Sequence, residues 1–160
     1  WLCVAQHHGL ATRLLDWTQN PLAALWFAVA SPANDDRPGV VWAFEPKERD
    51  FVIDVTDTSP YTVDRTRVFR PRHVARRVTA QSGWFTAHKY MPSIKGFIPL
   101  ERNINYSKRL RKVIIPATAF SALRFDLDRC GINAAALLAD LDGLSRTIHW
   151  QHSLLADEQA

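Results

Sequence analysis

Residues Ala5–Ala30 read AQHHGLATRLLDWTQNPLAALWFAVA. Two adjacent histidines, a glycine turn, an arginine and the triplet Asp16-Trp17-Thr18 precede one strongly apolar stretch. Burying so many polar groups unpaired is costly. The segment is therefore either an unusually polar structural joint or the floor of a binding site, and the sequence favours the second. Asn20 is placed to cap the helix that follows, and Pro21 suits its first turn. Leu22, Leu25, Trp26 and Val29 recur at helical spacing, while Ala23, Ala24, Phe27 and Ala28 fill the other faces. A helix apolar all round is expected to be buried on several sides. It is placed under a sheet, with its N-terminus aimed at an Asp-Trp-Thr loop.

Before this stretch, Trp1–Gln6 reads as the end of a helix. After it, Ser31–Gly39 reads as a polar loop, Val40–Phe44 as a buried strand and Phe51–Val55 as a second, alternating strand. Asp57–Pro71 reads as irregular, and His73–Ala80 as an arginine-rich helical turn. Gly83–His88 and Val113–Ile115 are further strands. The last third is helical: Ala117–Arg129 ends at Gly131, and Asn133 caps a second helix through Ala134, Leu137, Leu138 and Leu141. Asp142-Gly143 reads as an interruption before Leu144, Ile148 and Trp150 continue the pattern. The expected fold is α+β (mixed α/β), a single domain spanning residues 1–160, with a small central sheet flanked by N-terminal and C-terminal helices.

The 160 residues, 47% apolar and 22% charged, fit one ordinary globular domain. The longest apolar run, Leu22–Ala30, is nine residues, far too short to span a bilayer, and no signal-peptide pattern is present. Trp1 is no initiator residue, so the chain is expected to be a fragment or a processed form. Cys3 and Cys130 lack metal-ligand spacing, which favours reduced thiols over a single disulfide and a cytoplasmic setting. The net charge of +4 is uneven. Arg65, Arg67, Arg70, Arg72, Arg76 and Arg77 crowd one segment, and Lys108, Arg109, Arg111 and Lys112 another. Such clusters attract phosphates, or they form a solvated face. No RNA-recognition, helix-turn-helix or zinc-finger pattern supports sequence-specific reading of nucleic acid.

With these pieces placed, the chain resembles the FRG domain family. The resemblance rests on Gln6-His7-His8-Gly9-Leu10, Thr12-Arg13-Leu14-Leu15-Asp16-Trp17-Thr18 and Asn20-Pro21-Leu22, then Ala24-Leu25 and Phe27-Ala28. It continues at Arg77, Gln81-Ser82-Gly83-Trp84-Phe85-Thr86 and Ile115-Pro116, and closes at Gly131-Ile132-Asn133 and Asp140-Leu141-Asp142-Gly143-Leu144. Ala11 stands where the family usually has proline, and Leu138-Ala139 where it has Phe-Pro. The resemblance implies a Phe-Arg-Gly motif upstream of Gln6, which this sequence lacks, and an arginine from that motif as part of the site.

The candidate site residues follow from chemistry and spacing. His7 and His8 are adjacent, so at most one faces a pocket; the other packs or meets solvent. An inward histidine either ties the Gly9 turn or works as a general acid-base. A metal site would need partners such as Asp16, His73, His88 or His149, and no spacing selects them. Arg13 and Asp16 are expected to form a partly buried ion pair. Thr18 either caps a backbone amide or meets an anion at the helix N-terminus. Trp84, Thr86 and His88 share one strand face and Phe85 the other, which suits a flat ring or simply a core. Asp140 and Asp142 read as carboxylates for catalysis or as a polar helix break.

Three function classes remain, the third being a purely structural domain of a larger protein. The first is an ADP-ribosyltransferase-like enzyme on NAD, with His8, Thr18 and Gln81 catalytic and Gln6, His7, Arg13, Asp16, Trp17, Phe85 and His88 binding the ligand. It rests on fold-level analogy. The second is a non-catalytic module binding a nucleotide, nucleic acid or protein through its basic face. No Walker loop, GxGxxG or GxSxG is present.

Overall fold

A computed structural model of the chain describes residues 2–53, 59–71 and 76–159. Helices and strands are mixed, and the strands form a three-stranded and a two-stranded sheet, in agreement with the expected α+β class. The chain divides into two compact units. The first takes residues 1–17, 43–75 and 83–111, the second 18–42, 76–82 and 112–160.

In the first unit, α1 (Leu2–His7) is followed by a turn at Gly9, whose φ of +89° is a left-handed value that glycine adopts without penalty. The chain then enters β1 (Leu14–Thr18), whose last residue falls to the second unit. The Asp16-Trp17-Thr18 triplet is therefore strand, where the sequence reads as a loop. The three-stranded sheet has the order β1-β4-β3, with β3 at Arg67–Phe69 and β4 at Gly83–Ala87. β3 and β4 are antiparallel, with Val68 opposite Thr86 and Phe69 opposite Phe85. β3 lies inside the stretch expected to be irregular. The strand expected at Phe51–Val55 reduces to an isolated bridge between Phe51 and Val68, and Asp54 and Val55 lie outside the described residues. Leu14, Val68, Phe85, Ala87, Leu100 and Tyr106 are buried here. Phe69 stacks on Phe85, and Trp17 lies 5.5 Å from Phe44, which meets Tyr106 edge-on.

In the second unit, α2 (Pro21–Val29) starts where expected. The Asn20 side chain accepts hydrogen bonds from the amides of Leu22 (3.0 Å) and Ala23 (3.4 Å). Asn20→Ala is expected to lower stability by about 1 kcal/mol, measured as a shift in urea midpoint at constant slope. The helix is less buried than its composition suggests. Ala23 and Val29 are buried, but Leu22 and Phe27 are exposed. Its main partner is α4 (Phe120–Arg129) rather than a sheet, around a core of Val29, Ile115, Phe120 and Leu127.

β2 (Gly39–Phe44) pairs with β5 (Leu110–Ile115), and the boundary between the units falls within both strands. α3 is described over Arg76–Ala80; His73 lies outside the described residues. Asn133 caps α5 (Ala134–Leu138) as expected. The break then comes at Ala139, which is left-handed (φ 54°), and not at Asp142-Gly143. Asp140 caps α6 (Leu141–His152) through the Gly143 amide, so Asp142 and Gly143 form its first turn. Cys3 is buried, which pushes its thiol up to about 11, and both cysteines are free thiols. No helix among the described residues is long and apolar enough to cross a membrane.

Candidate functional site

The first unit holds a connected polar cluster in its interior. Strand alternation puts Thr86 on one face of β4 with His88 two residues on. The indole Nε1 of Trp17 donates to Thr86 Oγ1 at 3.0 Å. Thr86 Oγ1 lies 2.9 Å from His88 Nε2, and His88 Nδ1 lies 3.4 Å from Thr66 Oγ1. Tyr106 donates its hydroxyl to the Thr66 carbonyl at 3.3 Å. Thr66, Thr86, His88 and Tyr106 are all buried. Burial, and secondarily the Arg13 charge, push the His88 imidazole down to about 4, so the ring is neutral at pH 7.

Arg13 does not pair with Asp16. Its guanidinium sits 5.3 Å from the Tyr61 ring centre and 5.0 Å from that of Phe97, a cation–π setting. Its Nε is buried with no hydrogen-bond partner. Asp16 instead accepts from Gln6 Nε2 at 2.8 Å, while Thr12 donates to the other end of the Gln6 amide, Oε1.

Thr66 and His88 line one wall of a cleft of about 620 Å³ in this unit. Five cations border it, Arg49, Arg65, Lys89, Arg102 and Arg109, against two carboxylates, Asp50 and Asp64. Both carboxylates are already held. Asp50 is buried and accepts from Arg109 at 2.5 Å and from the Lys47 amide at 2.8 Å. Burial pushes its carboxyl up, but these bonds outweigh that and hold it below the usual range. Asp64 pairs with Arg65 and Arg67, each at 3.0 Å. Among the described residues Arg49, Lys89 and Arg102 make no ion pair, which leaves the cleft with uncompensated positive charge.

The sequence-predicted residues fall into several groups. Gln6 and Asp16 bond to each other; Trp17 and His88 are joined through Thr86; Phe85 is a core ring against Phe69. His8 is exposed on the turn after α1, and the side chain of His7 lies outside the described residues. Thr18 and Gln81 belong to the second unit and do meet, although through the main chain of Gln81. Thr18 Oγ1 donates to the Gln81 carbonyl at 2.5 Å and accepts from the Asn20 amide, while the Gln81 amide donates to the Leu137 carbonyl at 3.0 Å. Asp140 serves as the cap of α6. Sequence reasoning missed Thr66, Tyr106, Arg49, Lys89 and Arg102. Of the two basic runs it singled out, Arg65 and Arg109 reach this cleft, both ion-paired.

The fold and site define a mixed α and β protein with a cationic cleft over a neutral, buried histidine. The FRG domain family model matches residues 1–37, a stretch that includes α1, β1 and α2. Comparison with curated proteins and with solved structures gave no match.

Proposed function

We propose that this FRG-domain chain binds a nucleotide-type ligand, its phosphates held in the cleft of the first unit. The carrying observation is that, among the described residues, Arg49, Lys89 and Arg102 make no ion pair where both neighbouring carboxylates are already neutralised. Cationic side chains converging on a concave surface favour phosphate oxygens by charge and hydrogen bonding. The exposure of Arg49, Lys89 and Arg102 makes that attraction salt-sensitive.

ADP-ribosyl transfer from NAD is the enzymatic form of this reading, and the geometry supports binding more than transfer. The Thr18 hydroxyl and the Gln81 amide are each engaged with backbone groups, and the cleft carboxylates are engaged with arginines. Among the described residues, neither carboxylate of the cleft stands free to stabilise a developing oxocarbenium ion.

Calorimetric titration with ADP and NAD tests the proposal. Binding is expected to weaken as salt rises, and the Arg49→Ala/Lys89→Ala/Arg102→Ala variant is expected to lose at least about tenfold in affinity, the worth of one charge-assisted hydrogen bond. No binding of either nucleotide, or affinity unchanged in the triple variant, overturns it. Release of nicotinamide on incubation with NAD would establish the enzymatic form.

A further inference from the structure

We infer that Trp17 fixes the direction of a hydrogen-bond relay ending at Thr66, which turns the Thr66 hydroxyl proton into the cleft and selects a ligand with an acceptor oxygen at that point. The inference deepens the proposed function and rests on the ligand occupying this cleft.

The direction follows from what each group can do. An indole Nε1 only donates, so Thr86 Oγ1 accepts from Trp17. Thr86 is fully buried, and the one acceptor for its own proton among the described residues is His88 Nε2 at 2.9 Å. Were His88 to carry its proton on Nε2, the Thr86 hydroxyl would accept twice and keep a proton unused in a dry interior, which is costly. Nε2 is therefore the acceptor. In a neutral ring the proton then sits on Nδ1 and is donated to Thr66 Oγ1. The ring is held neutral by burial and by the nearby Arg13 charge.

Thr66 is the last member of the relay. Its hydroxyl makes no other hydrogen bond among the described residues, and the residue lines the cleft. With one lone pair taken by His88, its proton has no acceptor among the described residues. A phosphate or pyrophosphate oxygen accepts that proton, whereas an ammonium could use only the second lone pair and would leave the buried proton unpaired. Thr66 is thus a specificity-determining contact, and Trp17 and Thr86 are positioning residues that act through His88. Trp17, inside the family match, acts on the cleft through Thr86 and His88.

Two measurements on the full chain test this. Nitrogen NMR of the labelled protein at neutral pH is expected to find His88 protonated on Nδ1, and Trp17→Phe, which deletes the donor, to move the proton partly to Nε2. A purely structural role for Trp17 would leave the tautomer unchanged. In titrations with inorganic pyrophosphate, Thr66→Val is expected to bind about tenfold more weakly and Thr66→Ser to retain the wild-type affinity. A wild-type His88 protonated on Nε2 overturns the relay. Pyrophosphate binding unaffected by Thr66→Val overturns the role of Thr66 while leaving the cleft as the binding site. If the wild type does not bind pyrophosphate, the proposed function and the selection by Thr66 both fall, and the tautomer still decides the relay. Should Thr66→Val fail to fold, Thr66→Ala takes its place in the same titration, with the same loss expected and unchanged binding overturning the role of Thr66.

Discussion

Replacing Arg124 with alanine is expected to lower the melting temperature by on the order of 10 °C. Arg124 is buried in α4 and bonds the Val29 carbonyl at 2.9 Å, Asp157 at 2.5 Å and Glu158 at 2.6 Å. The Glu158 side chain is completely enclosed, and its second oxygen accepts from the Leu155 amide and the Trp150 indole. Removing the arginine leaves a buried carboxylate unpaired, a loss of about 3–5 kcal/mol, with roughly 2–4 °C per kcal/mol at this chain length.

The same group predicts the acid side of the stability profile. Burial pushes the Glu158 carboxyl up, but the bonds from Leu155, Arg124 and Trp150 outweigh it and hold it below its ordinary value of 4.5. A carboxyl depressed in the folded state contributes its stability above the unfolded value, and that contribution disappears as pH falls through the lower folded value. Wild-type stability should therefore fall as pH drops below about 4.5. Glu158→Gln, measured by urea unfolding across pH, should flatten that fall. An Arg124→Ala protein as stable as wild type would refute the account of the cluster.

Gly143→Ala is expected to destabilise by roughly 1–3 kcal/mol through overpacking, although alanine alone would favour a helix by up to about 1 kcal/mol. A Cβ built at Gly143 would stand 2.5 Å from the Ala134 carbonyl oxygen and 2.8 Å from Leu138 Cβ. One obstacle is backbone, so no rotamer change relieves it, and α5 and α6 must separate. Ser145→Ala, at an exposed position two residues along α6, provides the control and should be nearly neutral. Urea unfolding of the two variants side by side decides whether close helix approach, rather than propensity, governs position 143.

Local signals were legible in the sequence, and long-range ones were not. Asn20 and Asn133 cap their helices as their neighbours predict, because a cap is a bond across two or three residues. β1 and β3 escaped because each is a strand only by virtue of β4, and the Trp17–Thr86 bond spans 69 positions. Asp142-Gly143 looked like a break because both residues are weak in a helix interior. In a first turn, beside the close approach of α5, they are suited. The candidate site divides in the same way. Alternation along β4 pointed to His88, but nothing local marks Arg49, Lys89 or Arg102, which lie far apart in sequence and are gathered by the loops of the first unit. The expected Arg13–Asp16 pair failed because the spacing of two charges says nothing about a competing amide from Gln6 or aromatic rings at 61 and 97.

The clasp on Arg124 also bears on the order in which the protein can form as it is synthesised. The segments of the first unit are complete once residue 111 has been made. The buried cation of the second unit has no carboxylate partner until residues 157 and 158 leave the ribosome. The sequence of α2, α4 and α5 is complete by Leu141, whereas the carboxylates that pair with Arg124 stand at positions 157 and 158. Folding on the ribosome should thus proceed in two stages, and a protease cut after Ser153 would return the second unit to the earlier one.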